Sequence, residues 1–307
     1  MNVVLFLIVA LFWGGSFVAI EPLVKIVPPI TAAALRIGVA ILCLVFVLPI
    51  LKVSFKVPKK IQVKVWITGL FAFTFPFALL FWGEQSVSPG LAGILNGTVP
   101  IFVFLLGMIF TPGIETITVK KVVGLIVGIL GVVVIFYPKL NGGMTSSLAG
   151  AVAILLMACS YAASALLNRN LFTQHKQMHP LTNLFNQLIS GFILIAIIAL
   201  TLEGIPQFST YQPVDTFFAT VLYLGAGSTA IAFICFYRLI QSWGAVRAST
   251  VTYVIPATAL VLDLILNRKI PSPTDLLGVI AITAGVLILN VQNPFKRNTT
   301  KRSGTKH

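Results

Sequence analysis

FALLFWGEQSVSPGLAGILNGTVP, residues 77–100, and FICFYRLIQSWGAVRASTVTYVIP, residues 233–256, are two versions of one segment. Phe77, Gln85, Ser86, Ala92 and Pro100 recur as Phe233, Gln241, Ser242, Ala248 and Pro256, each 156 positions later. Gly69 and Gly225 fit the same spacing. Self-similarity at one long spacing marks a duplicated unit, and a duplicated apolar unit is a common plan of secondary transporters. The reading divides the chain into a first five-helix repeat (1–144), a second (145–291) and a basic tail (292–307).

The composition sets the medium. Of 307 residues 58% are hydrophobic and 9% charged, with mean hydropathy +1.02. Soluble domains carry about 25% charged residues, so this chain could not cover a water-facing surface. Apolar runs of roughly 20 residues match the thickness of a bilayer. Hydropathy and breaker residues place ten spans: 3–20, 30–50, 64–82, 87–110, 119–138, 148–168, 180–203, 214–238, 245–266 and 273–291. The first span is read as part of the mature chain, because no basic region precedes it and no small-residue cleavage site follows.

The net charge of +14 reflects topology, not a nucleic-acid partner. With the N-terminus in the cytoplasm, sixteen Lys and Arg fall on inner segments and four (Lys25, Lys139, Arg268, Lys269) on outer ones. By the positive-inside rule both termini are cytoplasmic, as expected of a multi-pass protein of the cell's inner membrane. Five spans per repeat is an odd number, so the second copy enters from the opposite side. The halves are then related by a pseudo-two-fold axis in the membrane plane, with the solute site at their interface. Trp13-Gly14-Gly15-Ser16 matches Tyr161-Ala162-Ala163-Ser164, and Gly124 and Gly131 match Gly278 and Gly285.

Polar residues inside spans mark that interface. Pro100 and Pro256 lie mid-span at matching positions, where a proline frees the carbonyl four residues earlier. Those carbonyls belong to Asn96 and Thr252, so both prolines read as hinges bordering a central cavity, with helix packing as the competing account. Asn183, Asn186 and Gln187 share a helix face, suited to a wet cavity or to helix–helix hydrogen bonds. Arg36, the counterpart of Gln187, is an intramembrane arginine and a functional candidate, unless it pairs with Glu21. Trp13 and Tyr161 sit mid-span, away from the interfacial belts, and Tyr253 adjoins Thr252. Asp263, about one turn inside its span, is the candidate for proton coupling. Gly124-x-x-x-Gly128 with Gly131 offers a close-approach face, for packing inside the monomer or in a homodimer.

Enzyme motifs are missing: the sequence has no HExxH, GxSxG, Walker A or paired-cysteine metal pattern. Cys43, Cys159 and Cys235 share no ligand spacing. His175 and His179 flank Pro180 without partner ligands. The reading expects no cofactor, no metal and no catalytic residues; the expected partners are a small-molecule solute and the lipid bilayer.

These residues resemble the EamA family of the drug/metabolite transporter superfamily. The resemblance rests on Phe12-Trp13-Gly14-Gly15-Ser16-Phe17, Leu35-Arg36-Ile37, Pro100-Ile101-Phe102 and Glu115-Thr116-Ile117-Thr118 leading to Gly124. In the second half Gly150 to Ala162 and Pro256 to Gly285 carry it. It departs at Lys269, the counterpart of Glu115, and in two extra residues near Thr111-Pro112-Gly113. The resemblance implies a ten-helix basket, a cavity lined by spans 1, 3, 4, 6, 8 and 9, and transport of small metabolites. Export is favoured over import by the resemblance alone. The residue reading thus selects Trp13, Ser16, Asn96, Tyr161, Thr252 and Tyr253 for the solute, with Arg36, Asn186 and Gln187 next. Amides, hydroxyls and aromatics with few charges suit an amino acid or its derivative. The rival function is a membrane enzyme acting on lipid-linked substrates.

Overall fold

Four helices begin at a proline, whose fixed φ and missing N–H suit the first helical position. They are α2 (Pro29–Ile50), α5 (Pro89–Asn96), α9 (Pro180–Leu202) and α13 (Pro273–Asn290). Ser88 Oγ accepts from the Leu91 N–H (3.3 Å), and His179 Nδ1 accepts from the Leu181 N–H (3.2 Å). Ser272 and Asp275 satisfy each other's backbone N–H groups in a capping box at α13. At α2 the cap comes from far away. Glu203 accepts from the Ile30 and Thr31 N–H groups (2.8 and 2.7 Å) and from Thr31 Oγ1, which ties the start of α2 to the end of α9.

The computed structural model describes residues 2–110, 118–141, 145–175, 177–243 and 251–290. The other helices are α1 (Asn2–Leu23), α3 (Lys59–Gly69), α4 (Phe75–Gly83), α6 (Val99–Phe110) and α7 (Val119–Asn141). They continue with α8 (Thr145–Gln174), α10 (Val214–Leu222), α11 (Ala232–Trp243) and α12 (Val251–Asn267). The described residues are helical with no strand. Seven of their helices are long and apolar enough to cross a membrane, and three shorter apolar helices cover 122–134, 254–267 and 273–288. Large apolar side chains such as Phe46, Ile50 and Phe110 point outward, 70–78% exposed, which only a lipid surround makes favourable. The chain is a multi-pass membrane protein.

The duplicated stretch departs from ordinary α-helix at matching places. Leu70–Thr74 is a π-helical turn between α3 and α4, and Tyr223–Ile231 is another between α10 and α11. Each widening disturbs the i→i−4 ladder, and hydroxyls meet carbonyls there: Ser160 Oγ donates to Phe71 O (2.9 Å) and Thr229 Oγ1 to Leu224 O (2.9 Å). Gly69 and Gly225 stand beside these turns. A Cβ on Gly69 would come within 2.8 Å of Gln187 Cα, and one on Gly225 within 2.9 Å of Arg36 O. Both glycines therefore allow helices of opposite halves to touch, α3 on α9 and the second π turn on α2.

The other main contacts also join elements before residue 144 to elements after it. α1 packs on α11 and α12, while α8 packs on α4, α5 and α6; α5 meets α12, and α7 meets α13. In the last pair a Cβ on Gly285 would lie 2.6 Å from both Gly124 O and Gly128 N. The glycine face read from the sequence thus packs within the chain.

The two matching prolines stand in different local structures. Span 4 is not one kinked helix: it stops at Asn96 and restarts at Val99, and Pro100 is the second residue of α6. Thr98 Oγ1 donates to Leu95 O (2.7 Å) across the break. Pro256 lies inside an unbroken α12, and a Cβ on Gly97 would sit 3.1 Å from its ring. The matching prolines meet different local structures because Gly97 and Thr98 stand before Val99-Pro100 where Tyr253 and Val254 stand before Ile255-Pro256.

Candidate functional site

Arg36 defines the centre. It projects from α2, is 4% exposed, and donates from Nε to Thr229 Oγ1 (3.0 Å) on the second π turn. Its guanidinium carbon lies 4.2 Å from the centroid of the Phe77 ring, a cation–π arrangement strengthened by desolvation. Nη1 is buried without a hydrogen-bond partner. Tyr161 of α8 and Tyr223 lie within its electrostatic reach, as does Glu84. The alternative pairing with Glu21 does not occur. Glu21 instead accepts from Lys25 (3.1 Å), Lys269 (2.7 Å) and Asn267 (2.9 Å).

Aromatic rings connect Arg36 to Trp13. Phe77 contacts Phe73, Phe73 contacts Phe233, and Phe233 contacts Trp13, with centroids 5.7, 5.8 and 5.4 Å apart. Trp13 also tilts against Phe236 at 5.0 Å. The repeat partners Phe77 and Phe233 therefore share one neighbour, Phe73, and two of the sequence-selected residues, Trp13 and Arg36, belong to one aromatic and cationic chain, with Tyr161 in electrostatic reach of Arg36. Ser16 Oγ donates to Trp13 O (2.7 Å), and Ser164 Oγ donates likewise to Tyr161 O (2.9 Å). Ser16 thus already has a partner within its own helix.

Other selected residues stand elsewhere. Asn186 Nδ2 donates to Phe55 O (2.8 Å) and Thr182 O (2.9 Å), while its Oδ1 accepts from Gln62. Gln187 Nε2 and Asn183 Nδ2 both donate to Asn168 Oδ1 (2.8 and 2.9 Å). These amides join α9 to α3, to α8 and to the segment after α2. Asn96 ends α5 and is half-buried; Thr252 is half-buried in α12. The side chain of Tyr253 lies outside the described residues, as do Glu115 and the basic tail.

Asp263 is a structural anchor between the halves. Its carboxylate is 3% exposed, accepts from the Gly90 N–H (3.0 Å) at the start of α5, and accepts from Asn267 Nδ2 (2.9 Å). An anion at that terminus meets unpaired N–H groups and the positive end of the helix dipole. Asp263→Ala leaves a buried donor unsatisfied, and a loss of about 1–3 kcal/mol is expected. Asp263→Asn keeps an acceptor and costs less. Thermal unfolding of the two variants in detergent checks the order.

Glu84 went unselected in the sequence because it lies past the end of an apolar run. It caps α4, is 3% exposed, and neither carboxylate oxygen has a hydrogen-bond partner. It lines a cavity of about 350 Å³ with Glu21, Lys25 and Lys269. A larger cleft, about 890 Å³, lies among residues of the α2–α3 and α8–α9 connections and shares no residue with the Arg36 centre.

A multi-pass helical membrane protein with a buried cation beside a chain of aromatic rings has the form of a solute carrier. The family model described as "EamA-like transporter family" matches residues 1–137 and 148–291, and the chain belongs to this family. Protein PagO of Salmonella typhimurium is 27% identical over 93% of this chain and 91% of its own. The "Probable amino-acid metabolite efflux pump" of Escherichia coli is 24% identical, covering 93% of each chain. The "Probable terminal-alkyne amino-acid exporter" of Streptantibioticus cattleyicolor is 24% identical over 77% of this chain and 75% of its own. One solved crystal structure, 19% identical, superposes with TM-score 0.65 over 94% of this chain and 95% of that one, and so shares the fold.

Proposed function

We propose that this metabolite transporter carries amino acids or closely related zwitterions out of the cell by alternating access. Ten spans form two inverted five-span halves in the inner membrane, with both termini in the cytoplasm. The reciprocal contacts support this arrangement: exchanging the halves turns the packing of α1 on α11 and α12 into that of α8 on α4, α5 and α6. The solute site is the Arg36 centre, and one observation carries it. A buried guanidinium has a nitrogen without a partner, which is costly unless an anion arrives. A solute carboxylate supplies that partner, Trp13 and Tyr161 provide apolar walls, and Asn96, Thr252 and Tyr253 contribute polar contacts as the cavity opens. The names of two relatives, an amino-acid exporter and an amino-acid metabolite efflux pump, favour the same solute class and direction over the membrane-enzyme reading.

Counterflow in proteoliposomes, with separate pools of amino acids, sugars and nucleotides, tests the reading. The amino-acid pool is expected to exchange. Correctly folded protein that exchanges none of the three pools contradicts it. Impermeant amine labelling is expected to reach Lys60 and Lys139 from opposite faces of the membrane; labelling from one face removes the inverted arrangement.

A further inference from the structure

Three carboxylates gather where α1, α4, α5 and α12 meet, and two of them are occupied. Glu21 is held by Lys25 and Lys269, and Asp263 by the Gly90 N–H and Asn267. Glu84 is the third. It lies on the cavity wall, 3% exposed, with both oxygens unpartnered. An ionised carboxylate in that position costs several kcal/mol, so the group either takes a proton or waits for water. The charges that act on it are Glu21 of α1, Arg36 of α2, Asp263 of α12 and Lys269 of the α12–α13 connection, and Lys25 lines the same cavity. Burial holds its carboxyl well above the ordinary carboxylate range. Glu21 and Asp263 push the same way, and Arg36 and Lys269 push back.

Glu84 is also mechanically linked to the solute centre. Phe77, which carries the Arg36 guanidinium, lies seven residues earlier on the same helix, two turns along one face. Any displacement of α4 needed to admit solute beside Phe77 also changes how much water reaches Glu84.

We propose that Glu84 is the proton-sensing group of this transporter: its carboxyl takes a proton from water in the cavity it lines while α4 holds it buried, and returns that proton to the same water when displacement of α4 hydrates it, so that protonation biases the carrier between its two forms. This inference rests on the transport reading above, and it assigns the response to pH to Glu84 instead of Asp263.

Two measurements test it. In proteoliposomes, net movement of the amino-acid pool by the wild type is expected to respond to an imposed pH gradient. Glu84→Gln is expected to keep counterflow within about twofold and to lose that response, while Glu84→Asp retains it. A Glu84→Gln variant that still responds fully overturns the proposal. So does a folded Glu84→Gln variant that loses counterflow, which would make Glu84 a solute ligand. So does a wild type that exchanges the pool without responding to pH. The second measurement needs no solute. Infrared difference spectra at neutral pH are expected to show a protonated carboxyl band that is absent in Glu84→Gln. Failure to find the band sinks the Glu84 role, whereas the band without any counterflow points instead to failure of the solute assignment.

Discussion

Arg36→Met is expected to reduce amino-acid counterflow by about 100-fold, equivalent to ~3 kcal/mol, while leaving a folded protein. Methionine approaches arginine in length, and exchanging a buried charge for an apolar side chain of similar volume is often neutral for stability. Here Thr229 Oγ1 loses one donor yet still donates to Leu224 O. What disappears is the positive group on the Phe77 face, and with it the unfilled Nη1. Arg36→Lys tests the geometry. An ammonium cannot stack on Phe77, reach Thr229 and present a further planar N–H together, so exchange is expected to fall roughly tenfold. Size-exclusion profiles and unfolding midpoints confirm that each variant is folded. If Arg36→Met exchanges amino acids within a few-fold of the wild type, the solute carboxylate does not bind at Arg36.

The second large effect is on stability. Gly285→Ala is expected to cost about 1–3 kcal/mol, and Gly285→Val more. The added carbon meets Gly124 O and Gly128 N, both backbone atoms, so no side chain can rotate aside. The α7–α13 pair must separate, and with it the neighbouring contact of Gly131 with Ile282. The readout is a lowered midpoint of thermal unfolding at unchanged oligomeric state. A variant that unfolds like the wild type but changes its association would place this glycine face between two copies of the chain instead.

Much of the fold could be read before any coordinates. The apolar runs announced a multi-pass helical protein, and the matching stretches beside Gly69 and Gly225 each carry a π turn. The turns themselves left no trace in the periodicity, because these spans are apolar on nearly every side and an added residue moves no polar stripe out of place. Rotation about each helix was equally hidden. Asn186 and Gln187 looked like cavity residues, yet their amides meet Phe55 O, Gln62 and Asn168, partners supplied by segments distant in sequence. Asp263 drew attention by its depth, but the donor that occupies it is a backbone N–H at Gly90, which no pattern of residue types reveals. Glu84 was missed for the opposite reason: an acidic residue at the end of an apolar run resembles an interfacial one until the ends of α1 and α12 are seen to enclose it.

The first π turn also fixes the angular phase of everything after it. Each residue of an α-helix advances about 100°. Shortening 70–74 by one residue would swing Phe77 off the guanidinium and carry Glu84 out of its cavity, with the composition of the span almost unaltered. Loops in such a chain can drift in length; these two stretches cannot.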